Sequence, residues 1–122
     1  MLSYYLALLA KKQEEVRRLN VCNSSLSGKK AEFQSNQHKC LEPHLTTTTW
    51  HGTLADSFDD IREGGIEASY LEIVGSQFSA AFSAIANKIA SLEAEIEQIK
   101  RIIEEIRARE AAEAAARAKA AK

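Results

Sequence analysis

The stretch "FSAAFSAIANKIASLEAEIEQIKRIIEEI", residues 78–106, decides the fold. Phe78, Phe82, Ile85, Ile89, Leu92, Ile96, Ile99, Ile103 and Ile106 recur at steps of four and three. From Ile85 onward the alternation is strict over about three heptads, the pattern of a coiled-coil seam. Between these knobs, Glu93, Glu95, Glu97, Lys100, Arg101, Glu104 and Glu105 form a solvated face with helix-supporting charge pairs. No Gly or Pro interrupts residues 76–122, so the spacing predicts one long amphipathic helix.

Working upstream, the stripe continues through Leu54, Phe58, Ile61, Gly65, Ala68 and either Leu71 or Glu72. Gly64 and Gly65 sit inside it, and Gly75 precedes Phe78 by about one turn. An interior Gly costs about 1 kcal/mol against Ala, so such positions mark a bend or a close approach. Because Gly65, Ala68 and Gly75 lie on or near the stripe, the reading favours close approach by another helix over a kink at Gly64–Gly65.

The N-terminal half is more weakly patterned. Leu2, Leu6, Leu9, Val16 and Leu19 make a helical stripe, and Leu19, Leu26, Phe33 and Cys40 then repeat every seventh residue. Their heptad companions are Asn23, Lys30 and Gln37, which makes the seam half polar. "NSSLSGKK" (residues 23–30) is a poor helix former and is expected to fray or break. Pro43 disfavours α geometry at Glu42, so the first helix ends or kinks there. The expectation is an all-α chain, an elongated antiparallel two-helix hairpin with coiled-coil packing and Trp-x-Gly at its turn. It forms a single domain over residues 1–110: helix 1 about 2–44, turn about 45–53, helix 2 about 54–110. Residues 111–122 form an Ala-rich charged tail, helical or frayed.

At the hinge, "TTTTWHGTLADSF" (residues 46–58) holds the chain's one Trp. Four β-branched threonines favour a helix break. Trp50 is expected to plug the open end of the hairpin, Gly52 to supply backbone freedom, and Thr53 to cap helix 2, with Asp56 resembling a capping box.

Composition excludes several classes. At 122 residues the chain is one domain, and 45% apolar content is globular. Sixteen basic and seventeen acidic residues nearly cancel, leaving no basic field for nucleic acid. No stretch approaches the ~20 apolar residues of a membrane span, and the N-terminus lacks the features of a Sec signal peptide. Two cysteines, Cys22 and Cys40, would lie roughly 27 Å apart on one helix, too far to bridge. They read as reduced thiols packed as small apolar groups.

No catalytic constellation is present, so no enzyme and no small-molecule substrate are expected. Asp56, Asp59, Asp60 and Glu63 read as helix-start and solvated acids, and "REGGIE" (residues 62–67) lacks phosphate-loop spacing. His38, Cys40, His44 and His51 carry metal-ligand chemistry at irregular spacing, so neither metal nor other cofactor is expected.

Two amphipathic helices joined by Trp50-x-Gly52 resemble the WXG-motif family of helical hairpins exported by bacterial type VII secretion. The start "MLSYYLALLAKKQEEVRRL" and the long charged second helix are most similar to the YwqH-like group found beside LXG-domain toxins. The resemblance covers residues 1–110. It implies a non-catalytic targeting chaperone, cytoplasmic or co-exported, that pairs with the helical N-terminal domain of an LXG toxin. A second small helical protein and the secretion machinery are further implied partners. Trp50 and Gly52 would form the secretion and turn motif. The family's export signal, an aromatic with an acid four residues later, has no match at Tyr70, Phe78 or Phe82, which favours export carried by the toxin.

The alternative is a self-assembling structural coiled coil with no secretion role, and a homodimer stays open. The longer helix 2 is expected to overhang helix 1 and leave Ile96, Ile99 and Ile103 uncovered. This makes Phe78, Phe82, Ile85, Ile89, Leu92, Ile96, Ile99 and Ile103 the expected partner-helix interface and favours the adaptor.

Overall fold

The computed structural model describes residues 1–46 and 50–121. The fold is an all-α helical hairpin, with no strand among the described residues. α1 runs Leu2–Asn36 and tightens into a 3-10 turn over Gln37–Leu41. The chain then leaves helical geometry at Glu42 (φ −96°, ψ 144°), as Pro43 dictates, and the Glu42–Pro43 bond is cis. Helix resumes at α2 (Thr53–Ile61) and continues through a π turn (Arg62–Glu67), α3 (Ala68–Glu72), a second π turn (Ile73–Gln77) and α4 (Phe78–Ala120). The break expected from the threonine run falls partly on residues 47–49, outside the described residues.

Within residues 22–84, aromatic packing joins the two arms. The Phe33 ring lies 5.3 Å from Tyr70 and 5.6 Å from Phe78, and Phe78 lies 6.2 Å from Phe82. The Tyr70 hydroxyl donates to the Phe33 carbonyl; burial, then the Cys40 thiol nearby, pushes this phenol's pKa up. Lys30, a polar companion of the heptad, sets its ammonium 5.9 Å from the Phe82 ring centre. Leu26 borders Ile73 and Phe78. Contrary to the expected fraying, "NSSLSGKK" stays helical. Its propensity deficit is small beside the packing of half-buried Leu26 within it and half-buried Phe33 just after it.

The two π turns change the register. Arg62 and Phe78 both face inward, yet sixteen positions of ideal α-helix would set them about 160° apart. Each π turn takes up one extra residue and removes that drift, so Ala55, Arg62, Val74 and Phe78 point the same way. The stripe Leu54, Phe58, Ile61, Gly65 and Ala68 consequently faces solvent. Close approach at the glycines is therefore corrected. A Cβ placed on Gly64, Gly65 or Gly75 would meet no atom within 4 Å.

In the unit formed by residues 1–21 and 85 onward, α4 buries Leu92, Ile96, Ile99, Ile103 and Ile106. Leu19 borders Leu92, Val16 borders Ile96, and Lys12 Nζ lies 2.9 Å from Glu95 Oε2. The hydrogen bond from Lys12 holds the Glu95 carboxyl below its ordinary range, and in return raises Lys12. The stabilisation linked to Glu95 is thus present above the ordinary carboxylate range and lost as acid protonates it. The uncovered overhang expected for Ile96, Ile99 and Ile103 is also corrected, because α1 covers them. Beyond Ile106 the described helix is exposed and Ala-rich, with no apolar face to cover.

Gly28 and Gly64 are helical with open space at the Cβ position. Gly28→Ala and Gly64→Ala are each expected to stabilise the fold by about 0.5–1 kcal/mol. Gly52 is the opposite case: it sits at φ 105°, ψ −172°, a region almost closed to other residues. Gly52→Ala is expected to cost about 1–3 kcal/mol. Urea midpoints of the three variants should diverge in sign accordingly.

Candidate partner interface

Gly52 rather than Thr53 is the N-cap of α2. Its carbonyl accepts the first helical hydrogen bond, from Asp56 N–H at 3.0 Å, and no side chain caps the end. The capping box expected of Thr53 and Asp56 is therefore absent, because Thr53 is already inside the helix. Asp56 still lies in the first turn, where its charge answers the helix dipole.

Arg62 anchors the helix that follows. Only 5% exposed, its guanidinium donates through Nη1 to the Pro43 carbonyl at 2.7 Å and through Nη2 to the Asp59 carboxylate. It also stacks 4.8 Å from the Phe58 ring centre. One side chain thus ties the segment after α1 to the start of helix 2. Nothing in a single sequence marks this Arg as buried, and only the π turn brings it inward.

Outward, the same helix presents apolar surface. Leu54 is 74% exposed, Ile61 62% and Phe58 40%, and Trp50, 41% exposed, lies 5.6 Å from Phe58 ring to ring. Leu54, Phe58 and Ile61 share one face of α2, and Trp50 joins them through Phe58, giving an apolar patch within residues 22–84. Rather than fully plugging a core layer, Trp50 extends this patch, and its backbone N–H donates to the Thr46 carbonyl at 3.0 Å.

The expected interface residues are placed differently. Phe78 and Phe82 belong to the aromatic cluster, while Leu92, Ile96, Ile99 and Ile103 are buried against α1's side of the seam, with Ile85 and Ile89 half-buried. They are engaged within the chain. His38 Nε2 lies 3.3 Å from Glu42, and among the described residues no three His, Cys, Asp or Glu side chains gather at metal-ligand spacing. Cys40 is half-buried, but Cys22 is exposed, which corrects the expectation that both thiols are packed away. No helix among the described residues is long and apolar enough to cross a membrane.

A helical hairpin with this seam and patch matches a family model described as YwqH-like over residues 6–109. The chain belongs to the YwqH-like family. This YwqH-like chain is also 41% identical to Protein YxiB of Bacillus subtilis (strain 168) over 49 residues, 40% of each chain. The match therefore spans well under half of that relative's length. No solved structure matches.

Proposed function

We propose that this YwqH-like chain is a non-catalytic targeting chaperone that binds the helical N-terminal domain of an LXG-type toxin for type VII secretion. The observation that carries the reading is the exposed patch of Trp50, Leu54, Phe58 and Ile61. Small soluble chains seldom leave a contiguous apolar patch open unless something docks on it. Family membership supports the same reading. The self-assembling coiled-coil alternative loses its main support, because the heptad seam it would use is filled by α1. The chain itself stays in the cytoplasm or leaves with its toxin, together with any second small helical partner.

Co-expression with the toxin's N-terminal domain, followed by purification through a tag on the toxin, tests the pairing. A chain that never co-purifies sinks the proposal. Trp50 tests the secretion step separately. Trp50→Phe keeps a ring against Phe58 and removes the indole N–H, at an expected cost of about 1 kcal/mol or less for a side chain this exposed. The variant is expected to fold and to pair with the toxin domain, yet to lower the toxin recovered from the medium several-fold. Normal export by this variant removes Trp50 from the secretion role and leaves it a packing residue.

A further inference from the structure

We infer that the outward face of α2, with Leu54, Phe58 and Ile61 on it and Trp50 beside Phe58, seats an amphipathic helix from a different chain whose flanks carry Lys and Arg. The inference rests on the helical-partner reading above and adds the chemistry of the partner.

The spacing makes a helix the fitting occupant. Leu54, Phe58 and Ile61, at steps of four and three on α2, give one stripe, the complement of an i, i+3, i+4, i+7 row on a facing helix, and Trp50 widens it through its ring contact with Phe58. Beyond Ile61 the surface stays low at Gly64 and Gly65, where a Cβ would enter open space. A facing helix can therefore continue past the patch without a clash.

Charge selects among the occupants. Residues 53–77 carry Asp56, Asp59, Asp60, Glu63, Glu67 and Glu72 against Arg62 alone, although the whole chain is only −1. Arg62 is buried and already committed to Asp59 and Pro43, so it offers nothing to a partner. A helix is about 10–12 Å across, so these acids lie within about one Debye length of a docked partner. A second copy seated face to face would bring two acidic segments together and be repelled. A membrane surface fits no better, since interfacial helices present Lys and Arg to anionic headgroups, not Asp and Glu. A basic-flanked helix gains from the same field, which also speeds its encounter.

The test uses the full chain and two labelled synthetic helical peptides sharing one Leu/Ile stripe, one flanked by Lys and Arg, the other by Glu. Fluorescence anisotropy at about 50 mM salt should show the basic peptide binding at least about tenfold tighter, and the gap should shrink at about 500 mM. Leu54→Gln with Ile61→Gln should weaken the basic peptide about tenfold or more, with circular dichroism unchanged because both side chains are exposed. Asp60→Lys with Glu63→Lys should reverse the preference.

Equal binding of the two peptides, or binding of neither, overturns the inference. So does a dimer in sedimentation that the Leu54→Gln, Ile61→Gln variant dissociates. If the basic peptide is preferred but the toxin domain fails to bind, the inference stands and the toxin reading falls. If the toxin domain binds the Leu54→Gln, Ile61→Gln variant at full strength, the toxin reading stands and this inference falls.

Discussion

Leu92→Asp is expected to cost about 3–5 kcal/mol of folding stability, because it puts an unpaired carboxylate where the wild-type side chain is 1% exposed. For a chain of this size that corresponds to a fall in Tm of roughly 10–20 °C, a large share of a small domain's stability. Ile99→Lys, at a position 6% exposed, should act in the same direction, softened by the reach of the Lys stem. Leu54→Gln is the matched control. At a residue 74% exposed it should change stability by no more than about 0.5 kcal/mol. Thermal melts of these three variants decide which face of helix 2 is turned inward. A Leu92→Asp variant as stable as wild type would mean that the α4 seam is open. The same melts separate folding from binding, since loss of partner binding by Ile99→Lys carries no information about an interface if the chain has unfolded.

Arg62→Ala is expected to be the most damaging substitution within residues 22–84, at about 2–4 kcal/mol. It removes a buried cation, leaves the Pro43 carbonyl and the Asp59 carboxylate without their donor, and takes the guanidinium off Phe58. Arg62→Lys should rescue little, because one ammonium cannot reproduce a fork that spans two acceptors. Asp59→Ala combined with Arg62→Met should recover part of the loss, since neither charge is then left unpaired. Hydrogen exchange should localise the defect. Faster exchange in α2 (Thr53–Ile61), with the seam of α4 from Leu92 onward still protected, is the expected pattern. An Arg62→Ala chain with wild-type urea midpoint and exchange would show that the contact to Pro43 does not hold the two segments together.

Much of the architecture is legible in the residues themselves. Knobs at steps of three and four from Ile85 to Ile106, with no Gly or Pro, are enough to require a long helix with one buried face, and that face is buried from Leu92 to Ile106 and half-buried at Ile85 and Ile89. Pro43 turns Glu42 out of helical geometry by a local steric rule, and Gly52 takes a positive φ that other residues resist. Each of these follows from neighbours in the chain.

What the tertiary structure alone decided is which face lies inward between Leu54 and Gln77. Periodicity of 3.6 carried upstream from Phe78 selects Leu71, Ala68, Gly65, Ile61, Phe58 and Leu54, all of which stand in solvent. Two π turns, unreadable from hydropathy because they insert residues without changing composition, turn the helix until Val74, Arg62 and Ala55 face in. Their stabilising contacts come from distant residues, with Phe33 against Tyr70 and Phe78, and Pro43 under Arg62. A local pattern records how often apolar residues recur. Which of two apolar stripes is buried depends on what the other arm of the hairpin places against it, and here that choice leaves Trp50, Leu54, Phe58 and Ile61 outside.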